Sequence, residues 1–114
     1  MIITKNTPFT KNEIKDLREC FDVYIKTVID VERSVCSAGC DRHFESEKKL
    51  LESGSNQNNL WGGGIDLETL IVDFNSFINI RPKQDNNSNE ILDSKTRDKF
   101  EKISKYFFGV LYEK

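Results

Sequence analysis

The chain is defined first by what it lacks. No apolar run approaches the length needed to cross a bilayer, so no membrane-spanning segment is expected. Met1-Ile2-Ile3 gives way at once to polar residues, and no secretory leader is expected either. There is no excess of positive charge. Seventeen Lys and Arg stand against 19 Asp and Glu, for a formal net charge of −2, so no global field recruits nucleic acid or an anionic membrane. Cysteine is scarce and odd in number, three in all. At 114 residues the chain buries a core without cross-links, and this usage fits a reduced cytoplasmic protein. Neither an internal repeat nor a linker of biased composition divides it, so one domain over 1–114 is expected. Gly62-Gly63-Gly64 lacks the Lys-Ser/Thr of a phosphate-binding loop and does not open a dinucleotide fingerprint; it reads as a flexible turn.

What is present specifies elements. Ile2-Ile3-Thr4 reads as a short strand. Thr10 and Glu13 form a capping box, with Phe9 and Ile14 at staple positions and Ile14, Leu17 and Phe21 as the core-facing stripe. Val23 to Val35 reads as one strand, with Ile25, Thr27, Ile29 and Val35 on one face. A helix is expected from about Asp41 to Glu52, stopped by Gly54, followed by an amide-rich loop from Ser55 to Asn59. Leu70 to Arg81 reads as a strand ended by Pro82: Val72, Phe74, Ile78 and Ile80 fall on its apolar side, Asp73, Asn75, Asn79 and Arg81 on its polar side. Asp85 to Asn89 is a polar turn cluster. Asp93 or Ser94 caps a last helix whose stripe is Thr96, Phe100, Ile103, Phe107 and Val110.

These elements assemble into an α+β fold of two layers, a small, mostly antiparallel sheet against about three helices. The other sheet face would carry Asp30, Glu32, Asp73, Asn75, Asn79 and Arg81, and would be solvated, covered by a loop or covered by a partner.

The middle of the chain carries a resemblance. Gly54-Ser55-Asn56-Gln57-Asn58-Asn59-Leu60-Trp61-Gly62 and Ser76-Phe77-Ile78-Asn79-Ile80-Arg81-Pro82, with His43-Phe44-Glu45-Ser46-Glu47 and Asn86-Asn87-Ser88-Asn89-Glu90-Ile91, resemble a family of short bacterial and archaeal proteins catalogued as a domain of unknown function. The resemblance implies a cytoplasmic single-domain protein and no particular reaction. It implies motif roles for His43, Glu47, Ser55, Gln57, Trp61, Asn79, Arg81 and Glu90. The chain departs from that pattern at Cys40 and Asp41, where the family has glycines, at Gly64, where it has asparagine, and at Asn87, where it has arginine.

Several residue sets invite chemistry, each beside a plainer reading. His43 and Glu47, four apart on a helix, pair so that the carboxylate orients the imidazole for general-base work, or form a surface pair. Arg81 with Asn79 grips a carboxylate or phosphate, or Arg81 locks the sheet through Glu47, Glu90 or Asp30. Asp30, Glu32 and Asp73 are oxygen ligands for Mg²⁺ or Ca²⁺, or a wet strand face. Cys36, Cys40 and His43 have one loose zinc knuckle, with Cys20 elsewhere. Lys95, Lys99, Lys102 and Lys105 of the last helix, interrupted by Asp98 and Glu101, form a nucleic-acid face or a solvated one. No cofactor or metal is assigned. The leading expectation is a cytoplasmic binding domain for a small molecule or protein partner. Its site would be a polar pocket around Arg81, Asn79, His43 and Glu47: Arg81 and Asn79 would hold an acidic or amide group, Ser55, Gln57 and Glu90 would line the site, and Trp61 would supply apolar contact. The alternatives are a small hydrolase or transferase using His43, Glu47 and Arg81, and a nucleic-acid module acting through the last helix.

Overall fold

The computed structural model describes residues 1–113. Five strands form one antiparallel sheet: β1 (Ile3–Lys5), β2 (Tyr24–Asp30), β3 (Val35–Ala38), β4 (Leu60–Asp66) and β5 (Val72–Asp73), in the order β1-β3-β2-β4-β5. Three helices accompany it: α1 (Lys11–Cys20), α2 (His43–Glu52) and α3 (Ser94–Phe107). The expected α+β fold with a small antiparallel sheet is therefore present. Among the described residues no helix is long and apolar enough to cross a membrane.

Local chemistry starts the helices where the sequence placed them. Thr10 Oγ1 accepts from the Glu13 amide at 3.1 Å, and Glu13 Oε1 accepts from the Thr10 amide at 2.9 Å, which completes the capping box. Asp93, rather than Ser94, caps α3 by accepting from the Thr96 amide at 2.9 Å. The stripes behind these caps supply Ile14, Leu17, Phe100 and Phe107, all buried. A fully buried Phe100 contributes about 1.5–3 kcal/mol relative to an exposed one.

Two strand expectations are corrected. Residues 23–35 are not one strand but a hairpin. Asp30 Oδ1 accepts from the Glu32 and Arg33 amides at 3.0 and 2.9 Å, Ser34 takes a φ of +53°, and the chain reverses. Turn chemistry overrides the β-branched content on either side, and Val35 lands on the opposite face from Ile25 and Ile29. Residues 70–81 contribute only two residues to the ladder. The rest becomes a loop with an isolated bridge from Asn75 to Glu90 and tight turns at Phe77–Asn79 and Pro82–Gln84.

The glycine run also departs from expectation. β4 passes straight through Gly62, Gly63 and Gly64 and pairs with β2 along its whole length. The glycines are needed for lack of room, not for turning. A side chain on Gly63 would strike the Asp73 carbonyl and the Phe100 ring, and one on Gly62 would lie 2.6 Å from Ser76 Cβ.

The helices divide over both faces of the sheet. Ile25, Ile29, Cys36, Ala38, Trp61 and Ile65 pack with the buried residues of α1 and α3. Val28, Val35 and Leu60 pack under Leu50 of α2, with Ile78 closing the edge. The face left open by the sequence reading is thus covered by α2 and by the loop that follows β5.

Candidate functional site

The two polar stretches of the sequence, 54–62 and 76–82, meet at one edge of the sheet. β5 covers β4 only at Gly64 and Ile65. Beyond that point Asn79 stands in for the missing strand. Its Oδ1 accepts from the Gly62 amide at 2.8 Å and its Nδ2 donates to the Gly62 carbonyl at 2.9 Å, the two bonds a neighbouring strand would make. The same Nδ2 lies 3.0 Å from the Phe74 carbonyl and 2.9 Å from that of Asn89. Asn79 is completely buried. Asn86, also buried, donates to the Asn79, Ser88 and Glu90 carbonyls and accepts from the Leu92 amide. These bonds satisfy the loop's backbone in the way a ladder would.

Arg81 is occupied in the same manner. Its Nε donates to the Ile78 carbonyl at 3.0 Å, and Nη1 donates to the Gln57 carbonyl at 2.8 Å and to Gln84 Oε1 at 3.2 Å. Nη2 donates to the Leu60 carbonyl. The guanidinium lies 4.5 Å from the centre of the Trp61 ring. Glu47 Oε2 is 4.0 Å from Nη2, close enough for attraction and too far for a hydrogen bond, and it has no other partner among the described residues. Of the two readings of Arg81, the geometry matches the internal lock, with main-chain carbonyls as its chief acceptors.

His43 opens α2. No bond joins its ring to Glu47 among the described residues; Glu47 turns to Arg81 instead, because residue 43 is drawn to β4. Nε2 lies 2.7 Å from the Gly63 carbonyl. A carbonyl only accepts, so Nε2 carries the proton. The Cδ2 atom lies 3.1 Å from where a Gly62 Cβ would sit. That ring edge faces β4, and Nδ1, on the other edge, makes no hydrogen bond among the described residues. Burial holds the imidazole pKa below its ordinary value; the Gly63 carbonyl opposes this, Lys26 adds to it and Asp73 opposes it. The ring is therefore neutral at pH 7, with its lone pair on Nδ1.

Outside that edge lies a cleft of about 570 Å³ between the start of α2 and the turn at 75–78, within the size range of ligand sites. His43 and Ser76 form its floor. Phe44 and Phe77 stand at its lip, 55% and 80% exposed. Lys26, Asp41 and Arg42 lie along one side. Lys26 Nζ donates to the Asp41 carbonyl at 2.7 Å, while the Arg42 guanidinium has no ion-pair partner among the described residues. Two cations thus face one carboxylate.

The sequence reading did not single out Phe44, Phe77, Lys26 or Arg42 as site residues. One signal for Phe77 was available. Along 72–81 the alternation fails at Ser76 and Phe77, which put a hydroxyl on the apolar side and a ring on the polar side. That inversion marks the turn and its exposed aromatic.

The remaining candidates fall elsewhere. Ser55 Oγ accepts from Arg33 Nη1 at 2.9 Å, Gln57 is engaged through its carbonyl, and Trp61 is buried under Arg81. Glu90 is exposed, and its carbonyl serves Asn86. Asp30 is buried at the hairpin it stabilises. Cys36 and Cys40 are buried, and burial raises the pKa of both thiols. Among the described residues no group of three or more His, Cys, Asp or Glu is placed to hold a metal ion. On α3, Lys99 pairs with Glu32 at 3.3 Å and Lys105 with Glu101 at 3.1 Å.

The fold and its site define a small α+β domain with an aromatic-lipped cleft at the sheet edge. The chain belongs to the family described as "Protein of unknown function (DUF5674)", whose model matches residues 1–107. No curated protein and no solved structure matches it.

Proposed function

We propose that the chain is a cytoplasmic binding module that takes an apolar group into the cleft between the start of α2 and the Phe77 turn. The observation that carries this reading is Phe77 itself. It is 80% exposed on a turn whose neighbours are held by buried hydrogen bonds from Asn79 and Asn86. A rigidly presented aromatic at the mouth of a cleft is the usual form of a contact residue. Asn79 and Arg81 serve by holding the turn; of the residues expected to form the pocket, His43 lines this cleft, together with Phe44 and Phe77.

A second reading, general-base catalysis by His43, draws support from one observation. The imidazole is neutral, its tautomer is set by the Gly63 carbonyl, and Nδ1 is unengaged. In that reading the carbonyl orients the ring and Glu47 does not.

Amide chemical-shift mapping with phenylacetate, a small apolar anion, tests the binding reading. Shifts are expected at residues 43–44 and 75–78, and they should disappear in Phe77→Ser. Shifts scattered over other surfaces, or unchanged in the variant, would reject it.

A further inference from the structure

We infer that the natural occupant of the cleft is a peptide segment of a partner protein that carries a large apolar side chain next to an acidic one. This rests on the cleft reading above and specifies who fills it.

Three features point to a peptide rather than a compact metabolite. The apolar contact surface runs beyond the cleft. Phe77 stands 80% exposed at the lip, and Ile80, three residues on in the same loop, is 45% exposed. A ligand sunk between Phe44 and Phe77 would leave much of that surface in water, whereas a chain passing over the lip covers it. The polar groups around the cleft also match a main chain. His43 Nδ1 accepts a hydrogen bond from an N–H, and the Asn75 and Asn89 carboxamides, both exposed, offer a donor and an acceptor each and make no side-chain bonds among the described residues. A peptide unit presents that combination at every residue.

The third feature is charge. The whole chain is acidic, at −2, yet the side of the cleft beside Phe44 carries Lys26 and Arg42 against Asp41 alone. A carboxylate adjoining the apolar anchor meets Arg42, whose planar fork binds carboxylates at two points. The sheet edge beside the cleft does not offer the other common route to a peptide, addition of a strand. β5 is two residues long, and the open stretch of β4 beside it is already closed by Asn79 and Arg81. Recognition therefore falls to side chains at the cleft.

The test is selection of a phage-displayed random heptapeptide library on the 114-residue chain, followed by calorimetric titration of the winning peptides against wild type, Phe77→Ser and Arg42→Glu. Both substituted residues are exposed, so both variants are expected to fold, and circular dichroism checks this. Winning sequences should place Phe, Tyr, Trp or Leu within two positions of Asp or Glu. Phe77→Ser should weaken them about tenfold or more, as loss of an interface anchor does. Arg42→Glu should weaken them about tenfold, and exchanging the peptide's acid for Lys should recover the loss on that variant. Absence of any enriched peptide while phenylacetate still binds would overturn this inference and leave the cleft reading standing. Failure of both probes would remove both. Winners that are basic, or that bind both variants as well as wild type, would also overturn it.

Discussion

Residues 79–86, at the β4 edge of the sheet, and the pair Phe44–Phe77, at the neighbouring cleft, have exchanged the usual places of polar and apolar groups. In the first region Asn79 and Asn86 are buried and Arg81 is engaged on carbonyls of two neighbouring segments. In the second, two phenylalanines stand in water. The difference lies in satisfaction. Each buried carboxamide has partners for its oxygen and its nitrogen, so burial costs little and fixes one arrangement of the loop. Neither phenylalanine forms an aromatic pair among the described residues, and the turn that presents Phe77 is held by that same polar frame. Polar groups here build structure, and apolar groups are left for contact.

The strongest way to break this comparison is Asn79→Ala. It leaves the Gly62 amide and carbonyl without their edge partner, and the expected loss is about 3 kcal/mol or more in urea unfolding. A loss below about 1 kcal/mol would mean that the carboxamide is dispensable to the frame. Arg81→Met should cost about 3 kcal/mol, since it deprives three main-chain carbonyls, those of Gln57, Leu60 and Ile78, of a donor and leaves the Glu47 carboxylate unpaired. Adding Glu47→Gln should recover part of that loss; a double variant no better than the single would show that carbonyls, not charge, account for the cost. Gly63→Ala should follow at about 1–3 kcal/mol, because its methyl group meets the Asp73 carbonyl and Phe100.

A smaller effect is expected from pH. Burial lowers the His43 pKa in the folded state, so the unfolded chain takes up this proton more readily. The stabilising contribution is complete above the ordinary imidazole value of about 6.5 and declines as pH falls from there through the folded value. Urea midpoints of wild type and His43→Gln, measured across that range, should differ in slope; parallel profiles would contradict a buried neutral ring. The smallest change in stability belongs to Phe77→Ser, within about 0.5 kcal/mol. A substantial loss would make Phe77 part of the core and dissolve the contrast between the two regions.

Parts of this were legible in the sequence because they are local. The Thr10–Glu13 box, the Asp93 cap and the Phe100–Phe107 stripe each depend on residues a few positions apart, and they form as read. Asp30 to Ser34 was legible in principle as well, but strand-forming residues on both sides hid a turn made by one carboxylate. The candidate site was read less well. Alternation along 72–81 treated Asn79 and Arg81 as one wet face of a strand, although their side chains bond sideways to a segment about twenty residues earlier. A period of two cannot distinguish a side chain pointing into water from one replacing a strand.

The sequence by itself determined the helix starts, the α+β composition, the absence of an apolar run long enough to span a membrane, and which residues are chemically able to hold a loop or present a ring. Those depend on neighbours along the chain and on the nature of each side chain. Tertiary structure alone decided that three consecutive glycines run as a strand, that one asparagine completes the edge of the sheet, and that His43 binds the Gly63 carbonyl in a cleft shared with two exposed phenylalanines. Each of those facts depends on which distant backbone lies within hydrogen-bond reach, and that is fixed only once α2, β4 and the loop after β5 have packed together.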